Sequence, residues 1–363
     1  MRSLFSDRGR VARATGWLLL VAAVTGTVLI GVSPSPYAVE RPGPVYNVLG
    51  KTLVSGKNVP LIEIPGRTTY PAGGMLDMLT VYVDGSPQQR VSWIELAGSW
   101  FDASRAAVPL DEIYPPGQTD KQANEESALD MSNSQQNAIA AALTELKVGY
   151  TSQLLVAQVI KGTPAAGRLK AGDELVTVDG EPITGLAVLQ SAIRATGTSG
   201  SVSLVIRRAG TTKTVEITPE INAETGKPAI GIYTGSRFDF PFDVKIQLQD
   251  VGGPSAGMML ALGIYDKLTP GSLTGGKHIA GTGTIDPDGS VGAIGGIRQK
   301  LYGARDDGAS WFLAPASNCD EVRGHIPSGI RVVAVKTLDD SLAAVRAIAS
   351  GSGTGSLPSC PAK

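Results

Sequence analysis

The sequence predicts an α+β protein behind a single transmembrane helix, and three observations predict it. An uncharged apolar run, Gly16 to Val32, follows an arginine-bearing N-terminus. Short β-branched segments separated by turn signals recur from about Lys147 to Glu220. Stretches of helical periodicity, Ser132 to Leu146 and the residues after Gly296, stand on either side of them. The 45 glycines and 23 prolines among 363 residues favour many turns and short strands over a helical bundle.

With 42% hydrophobic and 18% charged residues and a net charge of −1, the chain is globular in composition. Its length suits about two domains of roughly 100–200 residues. Neither sign of charge dominates and no lysine/arginine block follows the first residues, which argues against a nucleic-acid partner.

Arg2, Arg8, Arg10 and Arg13 lie ahead of the apolar run, which approaches the roughly 20 residues that cross a bilayer. The positive-inside rule keeps the arginines cytoplasmic and places everything after about Ser33 outside the cytoplasm. Residues 1–36 therefore read as a cytoplasmic tail and membrane anchor of a single-pass cell-membrane protein. A cleaved signal peptide is the competing reading; the length of the run and the poor small-x-small match in "SPSPYAVE" stand against it. Outside the cytoplasm the only two cysteines, Cys319 and Cys360, can close a disulfide that ties the Gly/Ser-rich, flexible tail 350–363 to the body. Two unrelated thiols are the alternative.

In the region 37–147, "MLDMLTVYV" (Met75 to Val83) reads as a strand. The helix Ser132 to Leu146 carries Ala138, Ile139, Ala142, Leu143 and Leu146 on one face. Between them "DEIYPPGQTDKQANEES" reads as a polar loop.

Residues 148–222 alternate short strands with the turns "KGTP", "KAGD" and "VDGEP", then present an amphipathic helix around Leu186 to Arg194 and a hairpin across "RAGTTK". The stretch "GTPAAGRLKAGDELVTVDGEPI" resembles a bacterial PDZ domain. The resemblance implies binding of extended peptides or C-termini by strand addition. It puts Val148, Gly149 and Tyr150 in the carboxylate-binding loop, although the repeated glycines of that loop are missing here. A β-rich spacer without a ligand is the plainer alternative.

The segment "GGPSAGMMLAL" sets Ser255 behind flexible glycines and a proline suited to a first helical turn. Unpaired backbone N–H groups at a helix N-terminus are what a tetrahedral oxyanion needs. A serine there is also an ordinary helix cap. A nucleophilic serine requires a base. His278 and His325, the only histidines, have no sequence context that signals catalysis. Lys300 follows "VGAIGGIRQ" on a helix beginning near Gly296, with Ile297, Leu301 and Ala304 giving that helix an apolar face. Burial there would lower its pKa enough to free the amine, and a surface lysine that snorkels into water is the alternative.

The ordered motifs "GGPSAG", "AGTGTIDPDGSVGAIGGIRQK" and "FLAPASN" resemble the proteolytic domain of the Lon proteases, over about Phe238 to Ala349. The resemblance makes Ser255 the nucleophile and Lys300 the general base, with Thr282 supporting the lysine. It gives the backbone around Gly253, Pro254 and Ala256 to the oxyanion hole. Two departures stand out: Gly252 occupies a position that is acidic in many Lon proteins, with Asp250 displaced from it, and the chain contains no AAA+ ATPase. "GSLTGGKH" imitates part of a P-loop, but His278 replaces the magnesium-binding Ser/Thr. Residues 37–147 loosely resemble the opening of the Lon-like domain, so that the PDZ module would be inserted between them and the catalytic part 223–349. A separate N-terminal domain is the alternative.

The expected protein is thus an ATP-independent, extracytoplasmic serine endopeptidase, similar to the bacterial membrane-anchored PDZ-containing Lon-like proteases. It would need no metal, nucleotide or other cofactor. Its partners would be peptides or unfolded segments, with a C-terminal peptide on the PDZ module. The resemblance also implies a homo-oligomer. A non-catalytic PDZ scaffold and a Ser–His hydrolase are the competing classes.

Overall fold

The computed structural model describes residues 4–360 apart from 116, 223, 224 and 250. Asp250, the displaced acidic residue, lies outside the described residues. Helix α1 (Leu4–Val32) leads into β1 (Tyr37–Asn47), β2 (Met75–Asp84), β3 (Ala106–Pro109) and the long α2 (Asp120–Glu145). Next come β4 (Thr151–Val159), β5 (Glu174–Val178), α3 (Leu186–Thr196), β6 (Val202–Arg208), β7 (Thr211–Ile217) and β8 (Ile232–Asp239). The chain continues through α4 (Gly257–Leu268), β9 (His278–Gly281), α5 (Ile297–Asp306), β10 (Trp311–Pro315), β11 (Arg331–Val335) and α6 (Leu338–Ser350).

A six-stranded mixed sheet runs β11-β10-β9-β2-β1-β3. β2, β9, β10 and β11 pair in parallel, whereas β1 is antiparallel to both β2 and β3. The sheet therefore takes strands from both sides of residues 148–222. The second sheet runs β7-β6-β5-β4-β8 and packs α3 over its own core, which includes Leu154, Leu189, Ile193 and Leu204. β8 closes that sheet by pairing with β4 from Ile232↔Val159 to Asp239↔Thr151.

Side-chain alternation divides the large sheet into two apolar faces. Leu76, Met78, Ile279, Leu313 and Val333 face α2, α4 and α6. Leu79, Ala280, Phe312, Ala314 and Val332 face the opposite side with Ile297, Leu301 and Ala304 of α5. α4 is buried all round from Gly257 to Ile264, the pattern of a central core helix.

Two expectations are corrected. The loop read between Asp111 and Ser127 turns helical at Asp120, because Thr119 and Gln122 form a reciprocal capping box: Gln122 N–H donates to Thr119 Oγ1, and Thr119 N–H to Gln122 Oε1. The tail read as flexible from residue 350 is held down as far as Cys360. Ala334 N–H donates to Pro358 O, Leu357 packs on the large core, and a disulfide joins buried Cys360 to Cys319.

Among the described residues one helix is long and apolar enough to cross a membrane: Thr15–Val32 within α1 has a mean hydropathy of 2.0 and none of it is buried. Trp17, Leu18, Leu19 and Ile30 are all more than half exposed on it.

A disulfide across 41 residues restricts the unfolded chain by about 4 kcal/mol on a chain-entropy account. Reducing it, or replacing Cys360→Ser, is expected to lower the thermal midpoint by several degrees, measured by differential scanning calorimetry with and without reductant.

Candidate active site

The site lies at the carboxyl end of β9, where α4 approaches from one face of the sheet and α5 from the other. Ser255 sits in the turn before α4, whose N-cap is Ala256. Helix α2 braces this turn twice: Ser134 Oγ donates to Pro254 O at 2.9 Å, and Gly253 N–H donates to Ser127 O at 2.9 Å. A Cβ at Gly252 would overlap Ser127 Oγ. A side chain three residues before the serine would therefore require Ser127 on α2 to shift.

Lys300 enters from α5. That helix begins at Gly296 with φ of +67°, and a Cβ there would stand 2.8 Å from Val81 Cγ2. Only glycine fits this start without strain, so Gly296 sets the rotation that carries Lys300 inward. Lys300 is 3% exposed. Its Nζ is 2.7 Å from Ser255 Oγ and 3.1 Å from Thr282 Oγ1. The buried Thr282 hydroxyl in turn donates to Ser255 O at 3.0 Å. Burial pushes the Lys300 amine down to about 7, with the Glu40 carboxylate opposing the shift. Glu40, on β1, is itself held above its ordinary range, chiefly by burial and then by Glu321. No local sequence signal marks Glu40, because only the pairing of β1 into the sheet brings it toward Lys300.

Of the backbone groups assigned to an oxyanion hole, Gly253 N–H is already engaged and Pro254 has no N–H. Among the described residues, the N–H groups of Ser255 and Ala256 have no hydrogen-bond partner and remain as donors. A cleft of about 830 Å³ opens over Ser255, lined by Tyr46, Met78, Val81, Met131 and Val251, with Lys51 to Leu53 of a β-hairpin on its rim.

The histidines lie elsewhere. His278 Nε2 contacts the buried Asp77 carboxylate and approaches Asp307 Oδ2 at 3.6 Å. His325 sits in a turn, its N–H donating to Val322 O. The glycine-rich Gly271–Lys277 segment connects a helix to a strand instead of opening a helix, so it lacks the strand–loop–helix arrangement of a phosphate loop.

Of Val148, Gly149 and Tyr150, the residues expected in a carboxylate-binding loop, Tyr150 lines a second cleft. Val148 N–H donates to Leu143 O, and the side chains of Val148 and Tyr150 pack on the large core. What sequence reasoning missed is β8, which adds to β4 across a long connection. The "DG" turns and "GD" pattern stop well before it. β8 and α3 flank this second cleft of about 750 Å³.

Residues 249–347 match the Lon protease (S16) C-terminal proteolytic domain, and residues 129–218 match the PDZ domain. Lon protease 2 of Herpetosiphon aurantiacus is 36% identical over 115 residues, covering 30% of this chain and 14% of that protein. The Lon protease of Campylobacter concisus is 35% identical over 111 residues, covering 29% of this chain and 13% of its own length. The chain thus spans about a seventh of these relatives. The PDZ domain of the SdrC-like protein from Listeria innocua is 25% identical, with 23% of this chain and 92% of that one covered at a TM-score of 0.21.

Because the Lys300 pKa is lowered on folding, the charged amine costs stability fully below about pH 7, and the cost fades as pH rises toward its unfolded value. Lys300→Met is therefore expected to stabilise the fold by about 1–4 kcal/mol at pH 6, with a smaller gain at pH 9. Urea denaturation at both pH values measures it. Gly296→Ala is expected to destabilise the fold by about 1 kcal/mol or more.

Proposed function

From a chain that joins a PDZ domain to a Lon-type serine-peptidase domain, we propose an endopeptidase in which Ser255 is the nucleophile and Lys300 the general base. The observation that carries this reading is a lysine amine 2.7 Å from a serine hydroxyl, buried so that its pKa falls to about 7. At neutral pH a large fraction of such amines is uncharged and has a lone pair for the serine proton.

In the proposed reaction Lys300 Nζ takes the Ser255 proton as Oγ bonds to the peptide carbonyl carbon. The N–H groups of Ser255 and Ala256 receive the oxyanion. As the intermediate collapses, the C–N bond breaks and the Lys300 ammonium returns its proton to the leaving amine. Water, deprotonated by the same lysine, then attacks the ester carbonyl; as the Ser255 Oγ–C bond breaks, the Lys300 ammonium returns the proton to Oγ and the acid product leaves. Thr282 accepts a hydrogen bond from Lys300 and holds the Ser255 carbonyl, which fixes both partners at one separation.

We assign residues 37–147 and 240–349 to the proteolytic domain, with the PDZ domain, residues 148–222 together with the strand β8 that completes its sheet, set between them. Helix α1 would anchor the chain in the membrane, with the catalytic part outside the cytoplasm. The steps above draw on no nucleotide, so the substrates would be peptides or already unfolded segments, and the PDZ domain would bind extended peptides. Assembly into a homo-oligomer follows the Lon resemblance.

Full-length protein in non-ionic detergent is expected to cleave casein without ATP. Ser255→Ala and Lys300→Ala should each lose at least a thousandfold in kcat/KM, followed by mass spectrometry of the fragments. The kcat/KM of the parent should rise close to tenfold per pH unit below about 7 and level off above it, as the amine loses its proton. Cleavage by the Ser255→Ala variant would sink the assignment.

A further inference from the structure

The cleft between α3 and β8 has walls from both domains. From the PDZ side come Ser152, Leu154, Leu186, Thr234, Ser236 and Phe238. From outside the PDZ-side sheet come Asn133, Gln136 and Asn137 of α2 and Asp286, Pro287 and Asp288 of the hairpin tip between Thr284–Ile285 and Val291–Gly292.

β8 is the last strand of its sheet, paired with β4 along one side only. Its other edge offers backbone N–H and C=O groups to an incoming strand. Thr234, Ser236 and Phe238 alternate onto the cleft face, opposite Val156, Leu154 and Ser152 of β4. Phe238 stacks on Phe240 and meets Tyr150 edge to face, which makes an apolar floor at that end. The geometry suits an extended segment of about six residues, roughly 20 Å long.

Charge supplies the ligand class. Among the described residues, Asp286 and Asp288 are the only acidic or basic side chains lining the cleft, and both are exposed. The tip that carries them is held rigid. Asp286 N–H donates to Ser290 O, Gly289 N–H to Asp286 O, and Ser290 N–H to Asp288 Oδ1, at 2.9 Å each. Two carboxylates on this tip, that of Asp288 held by Ser290 N–H, with no cation among the described residues lining the cleft, favour a positively charged side chain and disfavour an acidic one.

We propose that this inter-domain cleft binds an extended peptide segment that adds to the edge of β8 and delivers a lysine or arginine to Asp286 and Asp288. The proposal rests on the peptide-binding reading of the PDZ domain and names its ligand. A consequence follows from chain continuity. Four residues before Asp286, Thr282 holds Lys300 and the Ser255 carbonyl, and Gly283 N–H donates to Ser255 O at 2.9 Å. The ligand therefore touches the same hairpin that carries these contacts.

The test uses full-length Ser255→Ala protein in non-ionic detergent, so that no peptide is consumed and the result does not depend on hydrolysis. Fluorescence anisotropy would follow two labelled peptides of alternating Thr and Val with one central residue, arginine in one and glutamate in the other. The arginine peptide is expected to bind at least tenfold more tightly. Asp286→Asn with Asp288→Asn should reduce that ratio to within about twofold, and Ser236→Tyr, which fills the cleft, should weaken both peptides. Circular dichroism of each variant checks the fold. Equal binding of the two peptides, binding of neither, or a preference that survives the double asparagine variant would each overturn the proposal. Loss of casein cleavage in the parent alongside a retained arginine preference would instead count against the dyad reading alone.

Discussion

The desolvation of one amine organises the catalytic half of the molecule. Lys300 lies where water cannot stabilise its charge, and its two hydrogen-bond partners are the Ser255 and Thr282 hydroxyls. An exposed lysine would remain protonated at neutral pH and could not accept a proton. Everything that excludes water from this position therefore bears on the chemistry. The packing of Ile297, Leu301 and Ala304 against the sheet and the left-handed start at Gly296 both contribute. This burial is unfavourable for folding, so the core around it must supply the difference.

The sheet explains how two helices from opposite faces meet. α4 brings the serine turn from one side and α5 the lysine from the other, and only past the carboxyl end of β9 is there no strand between them. Thr282 occupies that junction, with its N–H donating to Leu313 O of the neighbouring strand and its side chain reaching both partners. Open parallel sheets commonly place their chemistry beyond the carboxyl ends of their strands. Here the parallel group β2-β9-β10-β11 provides that edge, and β2 comes from a part of the chain far from the motifs.

The two modules share more than a linker. α2 packs on α4, braces the serine turn through Ser134 and Ser127, and presents Asn133, Gln136 and Asn137 to the PDZ-side cleft. The aromatic group Tyr150, Phe238 and Phe240 joins the ends of β4 and β8 to the large core. Through α2 these contacts tie the cleft beside β8 to the Ser255 turn by one shared helix, a stiffer arrangement than a flexible tether.

Local pattern identified the apolar N-terminal run, the turn-rich β segments and the helix after Gly296, and the resemblance of the ordered motifs to the Lon proteolytic domain paired Ser255 with Lys300. Such features depend on residues close together in sequence: hydrophobic period, turn chemistry and ordered motifs. Other features needed the tertiary structure. The strand content of Met75 to Val83 was legible, but its place between β1 and β9 was not, since strand pairing over long separations leaves little trace in one sequence. Glu40 near Lys300, the closure of the PDZ-side sheet by β8, the engagement of Val148 in a helix end and the hold on the tail through Cys360 all arise between distant segments. So does the lowered pKa of Lys300. The amino-acid type provides the amine, but its desolvation is a property of the packed sheet and helices, and only the folded chain decides it.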